Sequence, residues 1–201
     1  MRKLTSSFFM SLDGVVDAPH DWHPPYMDDE MAIAVGAGIA DADTMLLGRA
    51  TYEEWAGFWP NQPDENPMAT YFNTTPKLVV STTLDTLEWQ NSTLIAGDVE
   101  AAVSDTKQQP GKDISVTGSG TLVRSLLLAD LIDELRLMIH PIVVGRGKRL
   151  FEDGDRPKAL ELVHSETYAS GVLNLTYRRN GHFDLGRGHG MAIVKHLKEG
   201  D

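Results

Sequence analysis

Short strand-like runs alternate with helical stretches along this sequence, and this alternation limits the fold more than any other feature. Apolar residues with Ser or Thr make up most of the runs, which lie at residues 3–10, 44–47, 77–81, 93–96 and 113–117. Stretches with apolar residues at helical spacing separate them. Strands that alternate with helices favour an α/β domain with a largely parallel sheet.

The pattern changes after residue 133. Residues 134–140 alternate apolar and polar side chains, and residues 141–147 are predicted to continue that strand. Two later runs flank Ser170 and Gly171, which is typical of an antiparallel hairpin. The predicted α/β fold is therefore a central, mostly parallel mixed sheet flanked by helices, with a C-terminal antiparallel hairpin. We expect residues 1–180 to form one domain and residues 181–201 to form a tail, either partly disordered or packed on a partner subunit.

Composition excludes several classes of protein. Hydrophobic residues make up 41% of the chain, but no apolar run approaches the roughly 20 residues that span a bilayer. The absence of cysteine excludes disulfides, thiolate catalysis and zinc–thiolate sites, and it fits the cytoplasm, where we expect the protein. The N-terminus lacks an apolar segment with a cleavage site, so no signal peptide is predicted. A net charge of -11 without a basic stripe argues against nucleic-acid binding.

Two glycine-containing junctions between a predicted strand and a predicted helix suggest ligand binding. Glycine lets a ligand approach the backbone, and the N–H groups that begin a helix favour phosphate. A tight turn would also explain each junction, and the second is no Rossmann fingerprint because Val123 replaces its third glycine. The residues of the first junction are Gly48, Arg49 and Thr51, and those of the second are Gly118, Ser119, Gly120 and Thr121.

Hydroxyl side chains end the predicted buried strand at residues 77–81. Ser81 and Thr82 lie where open α/β sheets bind ligands, although the same hydroxyls could cap a loop. No acidic residue stands beside them to hold a free ribose 2′-hydroxyl. With Arg49 they suit a 2′-phosphate, which predicts NADP rather than NAD. The second junction would then hold the pyrophosphate.

Candidates for acid–base chemistry or substrate contact lie in the first 30 residues. Asp13 is either a turn residue or a substrate contact. Asp29 either complements the dipole of the helix that begins there or hydrogen-bonds the N–H groups of a heterocycle. Prolines around His20 and His23 argue against a helical metal pair, so no metal site is predicted. Trp22 in this loop is predicted to cover a cleft. No motif supports serine hydrolysis.

The motifs at residues 11–14, 46–52, 79–81, 117–122, 134–137 and 140–147 occur in a specific order and spacing. Through the order and spacing of these motifs, the chain resembles the dihydrofolate-reductase-like family. It is most similar to stand-alone relatives of the C-terminal reductase domain of the riboflavin-biosynthesis deaminase–reductase. The resemblance covers residues 3–178.

The resemblance implies a dihydrofolate-reductase-like fold that binds NADPH at both junctions and at Ser81. It implies hydride transfer to a pterin- or pyrimidine-type small molecule, with Asp29 near the place of the acidic residue that binds the pteridine. Trp22 and Trp55 would form a lid or wall. The alternative is a non-catalytic module that binds a nucleotide or flavin. Homodimerisation through the last strands and the tail is a further expectation.

Overall fold

A single sheet of eight strands forms the centre of the computed structural model, which describes residues 1–63 and 65–180. The strands are β1 (Leu4–Ser11), β2 (Ala42–Gly48), β3 (Lys77–Val80), β4 (Ser92–Ile95), β5 (Asp113–Val116), β6 (Glu134–His140), β7 (Leu160–Thr167) and β8 (Leu173–Arg179). Their order across the sheet is β4-β3-β2-β5-β1-β6-β8-β7. The predicted tail at residues 181–201 lies outside the described residues.

Neighbouring strands from β4 to β6 all run parallel. β8 runs antiparallel to β6, and β7 runs antiparallel to β8. The predicted α/β fold, with its mostly parallel mixed sheet and C-terminal antiparallel hairpin, is confirmed.

Five α-helices connect the strands, and short 3₁₀ turns lie at Pro19–Asp21, Pro24–Tyr26 and Trp59–Asn61. The helices are α1 (Asp29–Asp41), α2 (Arg49–Phe58), α3 (Pro67–Thr74), α4 (Val99–Gln108) and α5 (Gly120–Leu128). In the described ranges, no helix has the length and apolar character needed to cross a membrane.

Side-chain alternation places helices on both faces of the sheet. Leu46 of β2 belongs to a core cluster with residues of α4 and α5, such as Val103 and Leu126. Its neighbours Met45 and Leu47 pack on the other face, in the cluster that includes residues of α2 and α3. Because successive strand residues face opposite sides, the sheet is the middle of three layers.

The predicted continuation of β6 through residues 141–147 is wrong. β6 ends at His140, because Pro141 has no N–H with which to extend the ladder. The chain then turns: Ile142 N donates to His140 O at 2.7 Å, and Leu12 N donates to Ile142 O at 2.8 Å. The segment therefore packs on the turn after β1 instead of lengthening the sheet.

Candidate cofactor and substrate site

The two glycine-containing junctions lie side by side because β2 and β5 are neighbours in the sheet. Ser119 joins them. Its Oγ accepts a hydrogen bond from Gly48 N at 2.8 Å and donates one to Thr51 Oγ1 at 2.9 Å. Ser119 is only 8% exposed; its bond to Thr51 is buried and its bond from Gly48 N is partly buried. Two motifs that are far apart in the sequence thus form one structure.

Close packing explains the glycines at two of these positions. A Cβ on Gly48 would lie 3.2 Å from Ser119 Oγ, and one on Gly118, whose φ is +73°, would lie 2.9 Å from Thr51 Cγ2. Gly120 differs, because a Cβ there would find no closer neighbour than Arg124 Nη1 at 3.9 Å. Gly48 and Gly118 let the junctions touch, whereas Gly120 leaves room for a ligand.

A cavity of about 610 Å³ lies above the junctions, at the carboxyl ends of β2, β3 and β5. Its volume falls within the ~300–1,000 Å³ that is usual for small-molecule and cofactor sites. The predicted cofactor-binding residues that line it are Gly48, Arg49, Thr51, Gly118, Ser119, Gly120 and Thr121.

The two helices that begin at the cavity differ from the others in how they start. Asp28, Asn66 and Asp98 accept hydrogen bonds from the first N–H groups of α1, α3 and α4. Among these five helices, only α2 and α5 have no side-chain cap. Their first N–H groups and the positive ends of their dipoles therefore remain available to an anion in the cavity.

The wall of the cavity on the β1 side consists of the turn after β1 and the segment that follows residue 147. Val16 N donates to Lys148 O at 3.0 Å. Arg124 of α5 holds the same segment, since its guanidinium donates to Leu150 O and to Glu152 Oε2, both at 3.1 Å. This wall is therefore tied to both β1 and α5.

Arg49 lines the cavity with an exposed side chain. Its Nη1 contacts both carboxylate oxygens of Glu53, at 2.9 and 3.2 Å. Such an exposed pair contributes at most about 1 kcal/mol, so a phosphate can replace Glu53 at little cost. In residues 1–63 and 65–180, no group of three His, Asp or Glu side chains is arranged to hold a metal ion.

Ser81 and Thr82 do not line the cavity. Ser81 Oγ accepts hydrogen bonds from Thr83 N and Leu84 N, both at 3.1 Å, and the residue is 6% exposed. Its hydroxyl caps the loop, which is the alternative that the sequence left open. A cofactor role for either residue stays a prediction.

Asp13 lies in the turn after β1 and binds the segment that follows β6. Its carboxylate accepts hydrogen bonds from Ser11 Oγ at 2.7 Å, Val144 N at 3.0 Å and Gly145 N at 2.9 Å. The bonds from Ser11 and Val144 do most to lower the pKa of Asp13, to about 2. With its oxygens occupied by the protein, Asp13 is a tether in this structure, and its predicted substrate contact stays a prediction.

Asp29 is exposed at the first position of α1 and does not line the cavity. Its neighbours attach the helix start to the loop between β7 and β8: Asp28 Oδ2 accepts from Ser170 N at 3.2 Å, and Glu30 Oε2 accepts from Ala169 N at 2.8 Å. Of these three acidic residues, Asp29 is the one that makes no hydrogen bond to the loop between β7 and β8 in the described chain. Its role toward substrate stays a prediction.

Trp22 is buried beside His140 at the end of β6. Its Nε1 donates to Asp17 O at 3.0 Å, and its ring meets the His140 ring edge-on at 5.2 Å. The His23 ring stacks on Phe9 at 4.5 Å in the same cluster. Burial lowers the pKa of His23 and of His140, which favours their neutral form. Trp22 is thus packed in an aromatic cluster, and its predicted role as a lid or wall stays a prediction.

Trp55 of α2 borders the second junction. Its Cζ2 would lie 3.7 Å from a Cβ on Gly118, and its ring packs on Phe72 with centroids 4.8 Å apart. Ser7, in the middle of β1, is exposed although strands lie on both sides. Thr117 Oγ1 donates to Ser7 O at 2.7 Å, so this uncovered part of the sheet adjoins the second junction.

Several residues that line the cavity had no role in the sequence analysis. They come from α4, from the second turn of α5 and from the segment after residue 147, which local patterns do not connect with the junctions. These residues are Glu100, Arg124, Lys148, Arg149 and Glu152.

Comparison with known proteins identifies the family. The model of the RibD C-terminal domain matches residues 2–174. The chain belongs to the RibD C-terminal domain family. A relative in Bacillus subtilis (strain 168), the uncharacterized protein YyaP, is 31% identical over 186 residues, which cover 90% of this chain and 96% of YyaP.

Solved structures confirm the fold of this RibD C-terminal domain. A protein from Shewanella sp. PV-4 named for riboflavin biosynthesis matches 89% of this chain and 99% of its own, with a TM-score of 0.69 and 22% identity. Dihydrofolate reductase from Enterococcus faecalis, solved with NADP(H), matches 89% of this chain and 96% of its own, with a TM-score of 0.58 and 18% identity. The dihydrofolate-reductase-like fold is therefore shown.

Proposed function

We propose that this protein is an NADPH-dependent reductase. Its substrate would be a small planar heterocycle of the pterin or pyrimidine class, including compounds of the 5-amino-6-(5-phosphoribosylamino)uracil type. The observation that supports this most directly is that α2 and α5, the two helices without side-chain caps, both begin at one cavity of cofactor size. The family and the fold shared with dihydrofolate reductase support a reductase over other uses of such a cavity.

The residues present fit a dinucleotide. The N–H groups at Gly120 and Thr121 begin α5 and would bind the pyrophosphate, with the open space at Gly120 allowing close approach. Arg49 would bind the 2′-phosphate after release from Glu53. The nicotinamide end would then extend toward β1, where Ser7 is exposed.

Bound NADPH supplies the hydride, and the chain positions the two reactants. The uncovered sheet face at Ser7 would receive the substrate ring, with Trp55 as a side wall. Asp29 would orient the N–H groups of the ring. Holding donor and acceptor in contact converts a bimolecular step into an effectively unimolecular one, so little covalent chemistry falls to the protein.

Thermal unfolding of the full chain with NADPH, NADH, FMN and no ligand tests the cofactor. A ligand present at about 100 times its Kd stabilises the folded state by ~2.7 kcal/mol, which raises the Tm clearly. We expect a shift with NADPH. No shift with either nicotinamide cofactor would contradict the proposal, and a shift with FMN alone would favour a flavin-binding protein.

Turnover is tested separately, by following NADPH oxidation in the presence of pterins and pyrimidines. We expect oxidation with at least one member of these classes. Binding of NADPH without oxidation across the panel would favour the alternative of a non-catalytic nucleotide-binding module.

A further inference from the structure

The end of the cavity nearest β3 is formed by Val80, Val99 and Glu100. Val80 is the last residue of β3, and the other two are the first residues of α4. In the sheet, β2 lies between β3 and β5. A dinucleotide with its pyrophosphate at the start of α5 and its nicotinamide toward β1 would therefore place its adenosine ribose at this end.

Glu100 places a free carboxylate at this end. Its side chain is exposed, and no hydrogen bond or ion pair joins it to another residue of the described chain. Arg49 lines the same cavity from the start of α2, with Glu53 as its partner. One free carboxylate and one exchangeable guanidinium thus lie where the ribose 2′ position would bind.

We propose that Glu100 determines the choice between NADPH and NADH by opposing Arg49 at the ribose 2′ position. A carboxylate accepts hydrogen bonds from ribose hydroxyls, as the acidic residue of Rossmann dinucleotide sites does, and it repels a 2′-phosphate. Arg49 has the opposite effect. The protein consequently prefers NADPH over NADH less strongly than it would if Arg49 acted without Glu100.

In the sequence no acidic residue stands next to Ser81, and NADPH was predicted for that reason. In the tertiary structure α4 contributes the carboxylate of Glu100 to the cavity that Val80 also lines, and the Ser81 hydroxyl accepts hydrogen bonds from Thr83 N and Leu84 N. Ser81 was expected to bind the 2′-phosphate at this position, whereas Glu100 would accept hydrogen bonds from the ribose hydroxyls instead. This inference depends on the proposed function, because it assumes that the cavity binds a nicotinamide dinucleotide.

Calorimetric titration of the full chain with NADPH and with NADH gives the ratio of Kd for NADH to Kd for NADPH. We expect Glu100→Gln to raise this ratio about tenfold, through tighter NADPH and weaker NADH binding, and Arg49→Gln to lower it about tenfold. Glu54→Gln is the matched control, since Glu54 lines the same cavity from the second turn of α2. The ratio of Kd for NADH to Kd for NADPH in the Glu54→Gln protein should stay within about twofold of the wild-type ratio.

Each outcome decides between stated alternatives. An unchanged ratio in the Glu100→Gln protein overturns the assignment. Equal changes in the Glu100→Gln and Glu54→Gln proteins also overturn it, because they would reflect the general negative field of the cavity. If the wild-type protein binds neither dinucleotide, the proposed function itself fails, and that result is distinct from a bound cofactor with an unchanged ratio.

Discussion

Ser119 shows how much of the site depends on a single hydroxyl. It is the buried contact that joins the start of α5 to Gly48 and Thr51 at the start of α2. Replacing it with a residue that lacks the hydroxyl leaves the partly buried Gly48 N–H without its partner. Leaving such a donor unpaired costs about 1–3 kcal/mol.

We expect Ser119→Ala to lower the free energy of unfolding by about 1–2 kcal/mol, because one buried and one partly buried hydrogen bond are lost. NADPH binding should weaken as well, since the starts of α2 and α5 are no longer held in their relative positions. Urea denaturation and calorimetric titration measure the two effects. Ser125→Ala is the control, because this exposed hydroxyl of α5 only donates to Thr121 O of its own helix. Equal stability of the two variants would contradict a structural role for the bridge.

At the scale of elements, Asp13 attaches the segment after β6 to the turn after β1. Residues 141–147 have no place in the sheet, so their backbone N–H groups need other partners. Asp13 accepts from Val144 and Gly145, and Arg149 Nε donates to Asp13 O at 2.8 Å. This tether positions the segment that continues into the β1-side wall of the cavity.

We expect Asp13→Ala to increase the hydrogen-exchange rates of the Val144 and Gly145 amides, because both lose their acceptor. Exchange monitored by NMR is the measurement, and amides of the central strand β1 should be unaffected. Asp153→Ala, at an exposed residue of a nearby loop, is the control. Unchanged exchange at Val144 and Gly145 would show that the tether does not limit the opening of this segment.

At the scale of the whole molecule, Glu134 at the start of β6 links this strand to β8 and to Lys3, the residue before β1. Its buried carboxylate contacts Lys3 Nζ at 2.8 Å, Arg136 Nη2 at 2.8 Å and Arg178 Nη2 at 2.9 Å. Burial alone would raise the pKa of Glu134, but the hydrogen bonds from these three cations lower it to about 2. The ionised form therefore stabilises the fold above the ordinary pKa of a glutamate.

Because the folded pKa of Glu134 lies below its usual 4.5, this stabilisation is complete above pH 4.5 and is lost as the pH falls toward 2. We expect Glu134→Gln to lower the free energy of unfolding by ~1–3 kcal/mol at pH 7 and to flatten its decline across that range. Denaturation at a series of pH values is the measurement. Glu166→Gln, at an exposed position of β7, should keep the wild-type pH profile.

β7 is an outer strand of the sheet, and it bears on the expected homodimer. Leu162 is 50% exposed and Val163 is 40% exposed on this strand. Within the described residues no further strand pairs with β7. A sheet edge with apolar side chains suits association with a second copy. Homodimerisation nevertheless stays a prediction.

The sequence by itself determined the features that depend on neighbours within a few residues. The alternation of strand-like and helical runs predicted the parallel part of the sheet, and Ser170 and Gly171 marked the hairpin of β7 and β8. Asp98, a residue type that favours helix N-caps, precedes the helix after β4 and accepts from Ala101 N at 3.0 Å. Capping, turns and side-chain periodicity are local properties, which is why the sequence alone predicted them.

Only the tertiary structure decided which distant residues share the cavity. The strand order brings β5 next to β2, so Ser119 meets Gly48 and α4 contributes Glu100. Periodicity reports which face of an element is apolar, but it does not report which element packs beside it. The neighbours in the sheet, and therefore the composition of the cavity, depend on the burial and hydrogen bonding of the whole chain at once.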